Sequence, residues 1–352
     1  MPNNQGHKLR DFVGSETSRN SRLYAPKVGI TLMFMSIKTN MAQFDKTKIY
    51  ALQEEIFFDD GREEELVEYV RNHPDRSSIQ GSPAKVLQAI DRFARTKKYL
   101  MNVGEDKGLI ITDIIKEGKP QVMVELGGYC GYSTILFGST VRAAGGKKYY
   151  SLERSPKFAK VITQLVEFAG LEGFIEVIAG PSNEGIQKLH SNGLKSIDMM
   201  FLDHYKPAYT TDLKLCEELN LIKKGTILAA DNVINPGNPP YLEYVRSSVE
   251  QKREKLKQEG KLDTDGFAKR SATQYGGVEV LNTTLKGNPN IIYESQLINS
   301  FEPTGEQGKS HEVSCTLKGG PSTRYSEELE DLESPTRIFS FPSVVYSRKS
   351  TD

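Results

Sequence analysis

The residues with chemistry in them arrive at the ends of apolar runs. "MMFLDHYK", residues 199–206, delivers four apolar residues and then Asp203, His204, Tyr205 and Lys206. Asp231 and Asn232 end another apolar run 28 residues after Asp203. Two carboxylates and an amide make a hard, oxygen-only donor set, which suits Mg2+ with positions left for water or substrate and does not suit zinc. Other readings stay open: a strand end surfacing into water, or Asp and Asn serving as helix N-caps. Pro236 and Pro239 place the next helix several residues on, which weakens the cap reading for Asp231.

A second group sits earlier. "VELGGYCGYS", residues 124–133, brings Gly127, Gly128 and Gly131 directly after an apolar run, where glycines let backbone approach a ligand. Glu153 ends the next run, "KYYSLE", where a carboxylate can accept both hydroxyls of a ribose. A glycine turn is also a common structural device, and an acid there is unremarkable by itself. Together they imply an adenosyl group lying across two neighbouring strands. The dinucleotide spacing G-x-G-x-x-G is absent, so S-adenosylmethionine fits better than NAD.

Such residues need a scaffold that gathers them. Five short β-rich runs, "QVMVEL" (121–126), "KYYSLE" (148–153), "FIEVIAG" (174–180), "SIDMMFLD" (196–203) and "GTILAADN" (225–232), alternate with stretches of helical period. That alternation predicts βαβ units and a doubly wound α/β sheet, parallel and covered on both faces. Its ligands belong outside the carboxyl ends of the strands, where Glu153, Asp203 and Asp231 stand. Extra helices precede the first strand: "GREEELVEYVRNH", "SPAKVLQAIDRFARTKK" with Ser82 as a cap before Pro83, and "EDKGLIITDIIKEG". "TTDLKLCEELNLIKKG" reads as a helix ending in a cationic turn and a glycine cap, and "YLEYVRSSVEQKREKLKQEG" as a helix with a solvated, charged second half. "NIIYESQLI" and "HEVSCTLK" read as a hairpin-like pair at the sheet edge, bringing the sheet to seven strands.

Composition sets outer bounds. Lys plus Arg equals Asp plus Glu at 46 each, so no global field favours nucleic acid or an anionic membrane. Cys130, Cys216 and Cys315 are scattered, without metal spacing, and fit a reducing compartment. No apolar run approaches the ~20 residues of a membrane span. Residues 1–43 are Ser/Asn-rich, with six Lys/Arg against two Asp/Glu. The expected organisation is a disordered extension over 1–60, one catalytic domain over 61–319 with an insertion at about 247–288, and a disordered tail over 320–352. A cytoplasmic monomer or weak homodimer follows, with a small-molecule substrate and neither nucleic acid nor membrane as partner.

Longer motifs narrow the reading. "MNVGEDKG" (101–108), "ELGGYCGYS", "EFAGLEG" (167–173), "FLDHYK" and "ADNVINPG" (230–237), in this order and spacing, resemble the catechol O-methyltransferase family. The resemblance runs over roughly residues 61–246 and resumes at about 289–319, where "NPNIIYESQLINSFEPTGE" is similar to fungal members. It implies a Rossmann-like methyltransferase fold with the seventh strand antiparallel. It also implies Mg2+ on Asp203, Asp231 and Asn232, Lys206 as general base, Glu153 on the ribose and His204 packed on the adenine. Ser182 and Asn183 would flank the base, and Val103, Glu125, Gly127, Tyr129 and Ser133 would position the methionine part. Met101 would lie near the transferred methyl, Tyr99, Tyr205 and Pro236 would border the acceptor, and Glu312 would accept a catechol hydroxyl. Tyr99 and Tyr205 stand where the family commonly has tryptophan, Asn183 replaces a glutamine and His311 an apolar residue, so acceptor range is the property most open to change.

The implied reaction takes a proton from a phenol chelated by the metal and sends the phenolate onto the sulfonium methyl. Three rivals remain: another Mg2+-dependent O-methyltransferase with a caffeoyl-coenzyme A-type or other vicinal-diol acceptor, an NAD-dependent oxidoreductase, and a non-catalytic adenosyl-binding regulator. "MNVG" and "DHYK" favour the catechol type over the first.

Overall fold

The computed structural model describes residues 43–257, 267, 281–306 and, for the backbone alone, 311–318. Three helices come first: α1 (Arg62–Arg71), α2 (Pro83–Thr96) and α3 (Gly104–Gly118). Five strands then alternate with helices: β1 (Val122–Leu126), α4 (Tyr132–Ala143), β2 (Lys148–Glu153), α5 (Pro156–Phe168), β3 (Ile175–Ala179), α6 (Ser182–Ser191), β4 (Ile197–Leu202), α7 (Ala208–Glu218) and β5 (Ile222–Ala230). Two helices, α8 (Pro239–Arg246) and α9 (Val249–Lys257), and two strands, β6 (Ile292–Ile298) and β7 (His311–Lys318), complete the order.

The sheet runs β3-β2-β1-β4-β5-β7-β6. Its first five strands are parallel, and β7 pairs antiparallel with both β5 and β6. Strand order reverses between β1 and β4, so the loops leaving them diverge and open a crevice at their carboxyl ends. The central strands earn their place by burial on both faces: Met199, Met200, Phe201 and Leu202 are all fully buried. Truncating Phe201 to alanine would cost about 3–5 kcal/mol.

Local signals were overruled in three places. The chain leaves α7 at Asn220, which takes the left-handed conformation (φ 55°) that usually calls for glycine, so Lys223-Lys224-Gly225 lies inside β5 rather than capping the helix. The expected helix over "YLEYVRSSVEQKREKLKQEG" is two helices broken at Ser247-Ser248, and Lys252 on the second is buried instead of solvated. Lys252 Nζ donates to the Ile291 carbonyl at 2.9 Å and sits over the Tyr244 and Tyr293 rings, and Ile291 and Tyr293 lie far along the chain.

The third correction concerns residues 43–60, expected to be disordered. Tyr50 is buried, its hydroxyl donating to Asp91 Oδ1 at 2.5 Å, and its N–H donates to the Pro303 carbonyl. Phe57 is buried against Tyr99. Single aromatic anchors in an irregular strap leave no periodicity to read. The flanking expectations over residues 1–42 and 319–352 lie outside the described residues. Among the described residues no helix is long and apolar enough to cross a membrane.

Candidate active site

The crevice at the strand ends is a cavity of about 670 Å³. Its walls include Tyr99, Met101, Val103, Gly127, Tyr129, Ser133, Glu153, Ser182, Asn183, Asp203, His204, Tyr205, Lys206, Asp231, Asn232 and Pro236. All but two of the residues given a role by the family resemblance therefore face one space.

The exceptions are Glu125 and Glu312. Glu125 lies fully buried behind the glycine turn, where its Oε2 accepts from the Thr134 (2.5 Å) and Ser151 (2.7 Å) hydroxyls. Burial pushes its carboxyl up to about 7, against the pull of Ser133, Thr134 and Ser151, and Oε1 completes no hydrogen bond. Glu312 is placed by β7 opposite Ala230, and its side chain lies outside the described residues. The carboxylate that the structure brings to Asn232 is Glu302, whose Oε1 accepts from Asn232 Nδ2 at 3.1 Å. Both glutamates follow the insertion that interrupts the family pattern.

The wall on β1 and β2 is built from backbone. Gly127 has φ 90°, and a Cβ there would stand 2.5 Å from the Asp203 carbonyl oxygen, so only glycine lets the two strand ends approach. Tyr129 also takes a left-handed conformation (φ 47°), and its hydroxyl donates to Glu63 Oε1 at 2.8 Å. Glu153 secures this turn: Oε2 accepts from the Gly128 (3.1 Å) and Tyr129 (2.9 Å) N–H groups, Oε1 from Ser155 N–H (2.8 Å). A carboxylate has about four acceptor sites, so capacity remains for a ligand hydroxyl. Burial raises the Glu153 pKa, and the three N–H groups oppose the rise.

Asp212, missed in the sequence, organises the next stretch of wall. Its Oδ2 accepts from Ser182 Oγ at 2.5 Å and pairs with His204 Nε2 at 2.9 Å. The His204 ring lies 4.8 Å from the Tyr209 ring, nearly parallel at 9°, which fixes its plane.

The wall on β4 and β5 is charged. Asp203 and Asp231 follow neighbouring parallel strands, and Asp231 N–H donates to the Leu202 carbonyl at 2.9 Å. Lys206 Nζ reaches Asp203 Oδ1 at 3.1 Å and the Tyr209 hydroxyl at 2.7 Å. Lys107, fully buried, donates to both Asp231 oxygens (2.9 and 3.0 Å) and to Glu302 (2.7 Å). Burial works against the Lys107 ammonium, but Asp231 and Glu302 outweigh it and hold its pKa above the ordinary lysine range. Asp203 is 25% exposed and lines the cavity, and desolvation there still acts on its carboxylate. That desolvation raises its pKa; Lys206 opposes the rise and Asp231 adds to it. Among the described residues no three acid, His or Cys side chains form a metal cluster, so a cation here would depend on the Asn232 amide as third donor.

The profile of a family described as a methyltransferase domain matches residues 124–233. The chain is 40% identical over 188 residues to "Catechol O-methyltransferase B" of Danio rerio, covering 53% of this chain and 69% of that one. This chain belongs to the catechol O-methyltransferase family. It is 38% identical over 188 residues to "Catechol O-methyltransferase" of Bos taurus, covering 53% and 67%. The protein of that name from Sus scrofa is 40% identical over 151 residues, 43% of this chain and 80% of the other. As a member of the catechol O-methyltransferase family it is an S-adenosylmethionine-dependent O-methyltransferase. Within that family frame, Lys107, Asp212 and Glu302 are charged residues at the site that sequence reading left out. Lys107 and Glu302 lie within quoted motifs, but no periodicity marks a buried charge whose partner is 124 residues away.

Proposed function

We propose that the protein moves the methyl group of S-adenosylmethionine to one hydroxyl of a catechol, with Mg2+ held by Asp203, Asp231 and Asn232. The observation that carries this reading is the meeting, in one cavity, of the backbone-built wall on β1 and β2 and the acid-and-lysine wall on β4 and β5. The donor set suits the ion: desolvation and the neighbouring Asp231 charge raise the proton affinity of Asp203, and a hard divalent cation relieves that strain. When bound, Mg2+ supplies positive charge that stabilises the ionised form of a phenol whose pKa is otherwise ~10.

The chain's own residues do the rest. Lys206 takes the phenolic proton at Nζ, an atom held in the cavity by Asp203 and by the Tyr209 hydroxyl. Glu302, held in place by Lys107, accepts from the second hydroxyl. Tyr99, Tyr205 and Pro236 border the ring. Glu153 holds the ribose, while Ser182, Asn183 and His204 hold the adenine. Val103, Gly127, Tyr129 and Ser133 place the methionine end beneath Met101, with Glu125 acting from behind the turn. As the oxygen–carbon bond forms the sulfur–carbon bond breaks, leaving S-adenosylhomocysteine. Opposite charges cancel in that step, so a wall that excludes water favours it.

The test is methyl transfer to catechols and to the matching monophenols, with and without EDTA. Catechols should turn over, monophenols should not, and EDTA should stop the reaction until Mg2+ is restored. Equal rates on catechol and phenol, or full activity in EDTA, would sink the chelation mechanism.

A further inference from the structure

Residues 281–288 lie in the stretch where the resemblance to the family breaks off, so the family pattern assigns them nothing. They are tied down along α7. The N–H groups of Lys286 (2.6 Å) and Gly287 (2.9 Å) donate to Glu218 Oε1, and that of Asn288 donates to Glu217 Oε2 at 2.7 Å. Glu217 is itself buried and takes the Tyr244 and Tyr293 hydroxyls. The fit is close: Gly287 has φ 69°, and a Cβ there would stand 2.3 Å from the Tyr244 hydroxyl.

From this anchor at the last turn of α7 the segment reaches the cavity. Leu281, Asn282 and Leu285 line it together with Ala208, Thr211 and Asp212 from the first turns of the same helix. Asn282, Thr283 and Thr284 are exposed, whereas Leu281 and Leu285 on either side of them are half-buried. The Asn282 side chain accepts from the Thr284 N–H (3.1 Å) and hydroxyl (2.6 Å), closing the turn that sets the two leucines on one side. Asp212 is the residue that fixes Ser182 and His204.

We infer that Leu281 and Leu285 form an apolar cover over the adenine end of the cofactor site, supplied by the inserted segment and held by the Glu217–Glu218 anchor. The inference rests on the reading of Ser182, Asn183 and His204 as the adenine contacts. A purine stacked on an imidazole keeps one edge toward α7, and two branched apolar side chains shield that edge from water while leaving the acceptor side untouched.

Calorimetry on the full chain tests it with S-adenosylhomocysteine and with adenosine. Leu285→Ser and Leu281→Ser should each weaken both ligands about tenfold, or about 1.4 kcal/mol. Leu285→Met should restore most of the loss. Glu218→Ala, an exposed change that loosens the anchor without touching the cavity, should weaken them about threefold. The KM for catechol, and kcat at saturating cofactor, should stay within about twofold of wild type. Unchanged S-adenosylhomocysteine affinity in both serine variants, or a loss confined to the catechol KM, would overturn the inference while leaving the site reading intact. A wild-type chain that binds neither ligand would bring down the site reading and the inference with it.

Discussion

The two walls of the cavity reach order by opposite means. On the β1–β2 side the backbone does the ordering: three backbone N–H groups hold Glu153. On the β4–β5 side Asp203, Asp231, Glu302, Lys107 and Lys206 hold each other in a chain of charges. A wall fixed by neutral backbone donors keeps its shape whatever is bound. A wall of paired charges keeps its shape only while every charge has a partner, so single substitutions there should propagate further.

That contrast can be broken most directly at Asp231. Asp231→Ala should lower turnover by at least about 10³-fold at ordinary Mg2+, with S-adenosylhomocysteine affinity in calorimetry changed only slightly. A comparable loss of cofactor affinity would show that the two walls are not separable. Lys206→Ala should lower kcat by roughly 10²–10⁴ while cofactor binding persists. Near-normal turnover at neutral pH would return Lys206 to a supporting role.

Lys107→Met sharpens the comparison through stability. Removing the ammonium leaves Asp231 and Glu302 desolvated without the cation that bridges them, a change that typically costs about 3–5 kcal/mol. Denaturant unfolding should show that loss, and it should shrink when Mg2+ is added. A variant as stable as wild type would mean that the acids simply protonate. The matched change, in the stretch between the two walls, is Asp212→Asn, which keeps one acceptor for Ser182 and His204 but removes the charge. Its S-adenosylhomocysteine affinity should fall by about tenfold, since hydrogen bonds to charged groups contribute about 1.5–3 kcal/mol, with kcat at saturation unchanged. An equal drop in kcat would tie His204 to the acceptor side instead.

What could be read from sequence divides along similar lines. The alternation of apolar runs and helical stretches carried the parallel sheet, because every central strand obeys the same double-burial rule. Asp203, Asp231 and Glu153 were legible because strand ends are where a parallel sheet keeps its ligands. Asp212 on α7 and Glu302 beyond β6 reach the cavity by long-range packing, Lys107 on α3 supports it from behind, and nothing local distinguishes them from surface charges. The same holds for Tyr50 and Phe57, which dock an irregular strap with one side chain at a time. Lys223-Lys224-Gly225 misled for the converse reason: a good local helix-end signal lost to the pairing of Ile222 with Ile197.

Gly127 has a mechanical side. No side chain separates its backbone from that of Asp203, so the seam between the two walls is main chain against main chain. Side chains flex by hopping rotamers, whereas two strand ends clamped in one sheet shift only if the sheet deforms. On the proposed reading, the gap that a methyl group must cross is thereby set by main chain and not by rotamers. Bulk added at this one position would act as a wedge, widening that gap without removing a single catalytic group.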